Sequence, residues 1–241
     1  MGSSARLTST CKPNHRWLRY SLRTLFLVVT ALCMAIAAWI LPAERQKRAV
    51  AAIEGAGGTV RYDYQAANQT APQPEIIARL LGVDYVATPD WISFGLGATD
   101  EILLDASLLK GVTGLDFLGT TVGDSTIALF DHHTEVRELY LDGTGVTAAG
   151  LGRCADMPHL AVLSLCDTQI GDEGIPYLCR IESLRSLALL NTPLTDAGLA
   201  GLHVCKNLRW LGVGGTAVTS SGVARFRERS PDCVVDWSSG D

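Results

Sequence analysis

The sequence is poor in charge and has no surplus of basic residues. Twenty Lys and Arg stand against 25 Asp and Glu, for a formal charge of −5. The positive footprint needed to bind a phosphate backbone is missing, so nucleic acid is not an expected partner. No Cys-x-x-Cys pair and no Cys/His group at zinc spacing occurs, which argues against a metal centre. The seven cysteines are Cys11, Cys33, Cys154, Cys166, Cys179, Cys205 and Cys233. Their odd number and their placement inside a repeating pattern described below fit buried free thiols better than a disulfide framework, with one isolated disulfide left open. No nucleophile with a base, no carboxylate pair and no phosphate loop stands out, so no catalytic residue and no cofactor is assigned. His132-His133 are sequence neighbours whose side chains diverge, and they read as a surface pair. Gly95-Leu96-Gly97 and the Gly212–Gly215 stretch precede no helix in a strand-turn-helix context and read as turns.

What the sequence does contain, first, is one long uncharged run. Thr24 to Ala43 are twenty residues without a charge, and at about 1.5 Å per residue a helix of that length spans the roughly 30 Å of a hydrocarbon core. The run has no polar stripe of the kind a soluble helix shows. Arg6, Lys12, Arg16, Arg19 and Arg23 precede it, while Arg45, Lys47 and Arg48 follow it beside Glu44. The excess on the leading side predicts a single-pass membrane protein with a cytoplasmic amino terminus. Trp17, Tyr20 and Trp39 sit where interfacial aromatics belong, and Pro42 is expected to stop the helix. A cleaved signal peptide is the competing reading, because Ala35-Ile36-Ala37 offers small residues at cleavage spacing; the long leader and Trp39-Ile40-Leu41 speak against it.

Second, the chain repeats itself. Leu139, Leu163, Leu187 and Leu211 are 24 residues apart. Four more columns keep the same step: Leu141, Leu165, Leu189, Val213; Thr144, Thr168, Thr192, Thr216; Val146, Ile170, Leu194, Val218; and Gly150, Gly174, Gly198, Gly222. The pattern extends backwards through Leu115, Phe117, Thr120 and Val122, and more weakly to Ile92 and Phe94. This unit, Leu-x-x-Leu-x-Leu-x-x-Thr-x-Val/Ile/Leu-Thr-x-x-Gly-Leu, resembles the leucine-rich repeat, in its bacterial membrane-anchored variety with Thr in the turn. The resemblance covers roughly residues 89–241. It implies an α/β solenoid, with parallel strands on a concave face and short helices on the convex face, preceded here by one transmembrane helix. It also implies a binding module and not an enzyme.

The repeat has a physical reading beside the resemblance. Alternate residues of a short strand point inward, so Leu-x-Leu buries both leucines. A lone unit cannot bury its own apolar edge, whereas stacked units bury one another's and need caps at the ends. Thr147, Thr195 and Thr219 are placed to cap helices, with Asp172 and Asp196 near a positive helix end. The Gly column lets coils pack closely, and Leu151, Ile175, Leu199 and Val223 face in from the convex side. Cys233 to Trp237 reads as a terminal strand, and Gly222 to Arg229 as a charged, solvent-facing capping helix.

The expected organisation is a cytoplasmic basic tail (1–23), a transmembrane helix (24–43), a juxtamembrane helix and amino-terminal cap (44–88), and a repeat domain of about six coils (89–241) with its cap from about 220. Within the cap, Ala43 to Glu54 is expected to be helical, Gly57-Gly58 breaks it, Thr59 to Tyr64 alternates like an edge strand, and a helix follows around Pro74 to Leu81. Asn68-Gln69-Thr70 is a formal glycosylation sequon that matters only in a eukaryotic secretory route. The repeat domain is expected outside the cytoplasmic membrane, binding a protein or glycan ligand through the concave face. The residue types common at binding hot spots nominate Trp91, Asp116, Arg137, Glu138, Tyr140, Asp142, Arg185, Arg209 and Trp210. The alternative is an envelope or complex-organising protein that acts by lateral assembly.

Overall fold

The structure, a computed structural model, describes residues 22–67, 72 and 74–237. It divides into two units, one ending at Pro42 and one beginning at Ala43. The basic tail, apart from Leu22 and Arg23, and the glycosylation sequon lie outside the described residues. The first described element is helix α1 (Leu22–Gly55), with Pro42 inside it. Its amino-terminal part is long and apolar enough to cross a membrane: the best window has a mean hydropathy of 2.5, with none of it buried in the protein. Pro42 does not end the helix as expected. A proline removes one backbone donor, but Ala43 to Glu54 favours helix and seats Ala49, Val50 and Ile53 in the core of the second unit, which outweighs the lost bond.

The second unit begins with the rest of α1 and strand β1 (Thr59–Tyr62). The expected strand is two residues shorter than read, because Asp63–Ala66 turns into a short helix, α2. Helix α3 (Glu75–Leu81) matches its expected place. Strand β2 (Pro89–Ser93) then opens the repeats, followed by α4 (Asp100–Ala106), β3 (Gly114–Asp116), α5 (Asp124–Phe130), β4 (Glu138–Tyr140), α6 (Ala148–Cys154), β5 (Val162–Ser164), α7 (Ile175–Leu178), β6 (Ser186–Ala188), α8 (Asp196–Gly201), β7 (Trp210–Gly212), α9 (Ser220–Arg229) and β8 (Val234–Asp236). All eight strands form one sheet in chain order. β1 pairs with β2 antiparallel, and every later neighbour is parallel.

Register follows the repeat. Leu115, Leu139, Leu163, Leu187 and Leu211 stand side by side across the sheet, and all are buried. Two residues on, Phe117, Leu141, Leu165, Leu189 and Val213 are buried in the same core. At the amino-terminal end aromatics fill it: the Phe94 and Phe117 rings stack at 4.6 Å, and Phe130 meets both edge-on. The capping helix α9 buries Val223, as its place in the inward convex column predicts, and also Phe226, which the solvent-facing reading did not foresee, beneath its charged outer face. An end coil still has to close the core on one side.

Three repeating polar devices hold the coils. The turn threonines each donate a hydroxyl proton to the carbonyl three residues back, as in Thr144 to Leu141 (2.6 Å), Thr168 to Leu165 (2.7 Å) and Thr192 to Leu189 (2.9 Å). These oxygens are buried, so the bonds satisfy carbonyls that no water reaches. Just before each of these threonines the chain takes a positive φ, at Gly119, Gly143, Asp167, Asn191 and Gly215. Asp and Asn tolerate this conformation better than other side chains, and here they bond each other, Asn191 Nδ2 to Asp167 Oδ1 at 2.9 Å.

The third device links one coil to the next. Asp124, Asp172 and Asp196 each accept from both the backbone N–H and the hydroxyl of a threonine 23 residues on: Thr147, Thr195 and Thr219, at 2.6 to 2.9 Å. Those threonines in turn cap α6, α8 and α9. The Asp carboxylates lie so close to the Gly column that a Cβ at Gly150, Gly198 or Gly222 would sit 2.1 to 2.3 Å from one. The Thr219 bonds hold the Asp196 carboxyl below the usual carboxylate range, with Arg225 assisting.

Cys179 and Cys205 form a disulfide with Cα atoms 5.1 Å apart. This corrects the free-thiol reading for these two and realises the isolated disulfide left open. The pair joins the loops that follow the helical segments of adjacent coils. Cys154 and Cys233 are free and buried as expected, whereas the free Cys33 is exposed and Cys166 only half-buried; burial pushes the Cys154 thiol pKa up to about 12.

Replacing Thr168, 1% exposed, by Val keeps the shape and orphans the Leu165 carbonyl. A loss of about 1–3 kcal/mol is expected in denaturant unfolding. The same change at the half-buried Thr216, where water can replace the hydroxyl, is expected to cost less; equal losses at the two sites would contradict this account.

Candidate functional site

The outward positions of the strands form two columns. One runs Trp91, Gly114, Glu138, Val162, Ser186, Trp210; the other Ser93, Asp116, Tyr140, Ser164, Ala188, Gly212. Small residues occupy the middle of the face and tryptophans stand toward both ends, five strand spacings apart, which is roughly 24 Å. Both indoles lie across glycines. A Cβ on Gly114 would come within 2.1 Å of the Trp91 ring, and one on Gly212 within 2.7 Å of the Trp210 ring. Glycine at these two positions therefore lets each ring lie down against the sheet.

At the amino-terminal end the side chains form a connected cluster. Arg61, on the antiparallel strand β1, makes two hydrogen bonds to Asp90, at 3.1 and 2.8 Å. The bond to Asp90 raises the Arg61 pKa further. The same guanidinium lies 5.2 Å from the Trp91 ring centre, a cation–π distance. Trp91 then meets Tyr140 at 5.7 Å, and the Tyr140 hydroxyl donates to Glu138 at 3.1 Å. Burial, together with the Glu138 charge, pushes the Tyr140 phenol up, so it remains a donor at neutral pH.

The nine nominated residues fall into three groups. Trp91, Glu138, Tyr140 and Trp210 sit on the strands and face outward. Asp116 and Asp142 also face outward, but both are engaged with neighbouring coils. Asp116 accepts from Ser93 Oγ (3.0 Å) and from Leu118 N (3.0 Å); Asp142 accepts from Ser164 Oγ (2.5 Å) and Cys166 N (2.7 Å). Arg137, Arg185 and Arg209 are exposed and precede their strands by one residue, along the amino-terminal edge of the sheet. Arg209 turns back on its own loop, donating to the Lys206 and Leu208 carbonyls at 3.0 and 3.2 Å. Arg61 had no place in the repeat pattern and was missed by it; its alternation with Val60 and Tyr62 on an edge strand was the available signal.

His132 and His133 are not a surface pair. His132 is exposed, but His133 is buried, and both Nε2 atoms reach the Ser107 carbonyl, at 3.0 and 2.8 Å. The carbonyl can only accept, so each ring carries its proton on Nε2. They line a cleft of about 390 Å3 with Ser107 to Val112, in the loops between coils. Among the described residues no cluster of three or more His, Cys, Asp or Glu could hold a metal ion.

No protein-family model matches the chain, and no curated protein does. Solved structures do. A Leptospira interrogans leucine-rich-repeat protein aligns at 20% identity and a TM-score of 0.42, over 55% of this chain and 33% of its own. An internalin, inlF, from Listeria monocytogenes aligns at 18% identity and 0.41, over 56% of this chain and 44% of its own. An internalin C2 of Listeria monocytogenes gives 14% identity and 0.43, over 73% and 90%. The chain thus spans less than half of the first two structures. The class is defined by the chain's own geometry. A 24-residue period, a parallel ladder with two buried apolar columns and a threonine-sealed turn make it a leucine-rich-repeat solenoid, with one long apolar helix before it.

Burial holds the His133 pKa below its ordinary 6.5. A histidine whose folded pKa is depressed contributes stability above its unfolded pKa, and that contribution is lost as pH falls through the folded one. Thermal unfolding should therefore show a destabilisation between pH 7 and 5 that His133→Gln, which keeps an N–H donor but cannot titrate, makes smaller. An unchanged pH slope in that variant would remove His133 from the account.

Proposed function

We propose that the protein is a membrane-tethered interaction module that is not an enzyme, presenting the concave face of its solenoid to a protein or glycan ligand outside the cytoplasmic membrane. The observation that carries this reading is the arrangement of that face. Two flat tryptophans bracket a shallow strip of Val162, Ser164, Ser186 and Ala188, with tyrosine and charged groups at one end. Half-buried indoles seated on glycines, Trp91 with Arg61 and Tyr140 against it and Trp210 at the far end, suit the apolar side chains of a protein or the C–H faces of a sugar ring. Trp91, Tyr140 and Trp210 are the principal contacts in this reading, with Glu138 and the edge arginines Arg137 and Arg185 around them. Asp116 and Asp142 position the strands first.

The tether is α1, by length and composition. The orientation draws support from two sources. The flanking charge favours a cytoplasmic amino terminus. The Cys179–Cys205 disulfide favours an oxidising compartment for the repeats, since reducing cytosol keeps such pairs open.

Two measurements test this. Alkylating free thiols in intact cells before lysis, then mapping peptides without reduction, should recover residues 179 and 205 linked; finding both alkylated would place the repeats in a reducing compartment. A photo-crosslinking residue at Ser186, on the concave face, should give discrete adducts in intact cells that Trp210→Ala weakens. Adducts arising only from the exposed convex position Ala197 would move the binding surface to the other side.

A further inference from the structure

Helix α3 (Glu75–Leu81) holds Ile76, Ile77, Leu80 and Leu81 in seven residues and buries none of them. Ile76 is 73% exposed, Leu80 77% and Leu81 45%. Other seven-residue helices of this unit do the opposite: α4 buries Leu103 and Ala106, α5 buries Ile127 and Phe130, and α6 buries Leu151 and Cys154. Four apolar side chains on a helix that contributes nothing to a core require another explanation.

The chain that follows α3 says where the helix is. After Gly82 it is fastened to the start of the second unit. The Tyr85 hydroxyl bonds the Glu44 carboxylate, and Gln46 Nε2 donates to the Ala87 carbonyl at 2.8 Å. Tyr85 is four residues past Leu81, a reach of at most about 14 Å. Glu44 is two residues past Pro42, where the apolar run ends, a helical rise of about 3 Å. Arg45, Lys47 and Arg48, directly after that run, are exposed, and so is Arg79 on α3 itself, where it pairs with Glu75. Exposed apolar side chains within a short reach, along the chain and one hydrogen bond, of the residues that follow the apolar run, and flanked by cations, are the makings of a helix that lies in the headgroup layer.

We propose that α3 is a second membrane contact: it rests in the interfacial layer of the bilayer, with Ile76, Leu80 and Leu81 among the headgroups and upper acyl chains and the nearby cations on anionic lipid. The partner is a lipid surface. This rests on the reading of α1 as a membrane span, and it limits how freely the repeat domain swings on its tether.

The test uses the full chain in vesicles of phosphatidylcholine and phosphatidylglycerol, with Cys11, Cys33 and Cys166 replaced by Ser and one environment-sensitive fluorophore attached at Leu80→Cys, Val28→Cys or Leu108→Cys. Lipids spin-labelled high on the acyl chain then serve as quenchers. Quenching at positions 28 and 80, several-fold above that at 108, an exposed leucine of the repeats, is expected. Introducing Ile76→Gln and Leu81→Gln should lower the quenching at 80; since α3 buries nothing, the pair leaves the fold intact. Quenching at 28 but not at 80 overturns the proposal and leaves the span standing. Equal quenching at 80 and 108 overturns it as general adsorption, and a blue-shifted probe at 80 without quenching overturns it in favour of a protein cover. Absence of quenching at 28 removes the span, and this inference with it.

Discussion

A coil of 24 residues has no interior of its own, and everything else in the second unit depends on that. Leu163 is covered only because Leu139 and Leu187 stand beside it in register, so each coil is stable by virtue of its neighbours. The sheet's backbone bonds supply the regular contact, and polar side chains reinforce it at the same step. The Asp-to-Thr bonds reach forward 23 residues on the helical side, and Asp142 reaches Ser164 and Cys166 on the strand side. Where the Asp column is interrupted by Ala148, the following coil has Gly171 in place of threonine and is served by its own Glu173. The interruption and the substitution occur together, which fits a bond that needs both partners.

The apolar architecture could be read from the chain because burial imposes a strict positional rule. Columns such as Leu139 to Leu211 or Val146 to Val218 repeat without insertion, and the strands, the turn threonines and the threonine helix caps fell where the period put them. What the period could not supply were contacts that obey no such rule. Asp172 and Asp196 read as helix-end charges because their bonds to the next coil depend on a carboxylate turning toward a neighbour. Cys179 and Cys205 are 26 residues apart, two off the period, because they occupy loops of unequal geometry and no repeated column. His133 looked exposed beside His132, and only the path of the Ser107 carbonyl buries it. Pro42 looked like a stop, because the local cost was visible and the gain from seating Ala49 and Ile53 was not.

The concave face divides in the same way. Its outward positions followed from alternation, and so did Trp91, Tyr140 and Trp210. That the two indoles lie flat followed from Gly114 and Gly212, whose vacancy means nothing until the neighbouring ring is known to fill it. The acidic members of the face are drawn into the scaffold: Asp116 and Asp142 hold neighbouring strand ends, and Asp90 is engaged by Arg61 from outside the repeats. Charge on this surface is therefore less free than a count of carboxylates suggests.

Strand β1 runs against the direction of all the others. A parallel coil presents its successor with the same edge it received, which is how a unit can be copied again and again. The reversed strand presents a different edge, fixed further by Arg61 on Asp90 and Trp91, and it carries no copy of the repeat. Gene duplication can therefore lengthen this protein only between β2 and its far end. The number of coils, and with it the span between the two tryptophans, is free to vary by whole units, while the end that joins the apolar helix stays constant.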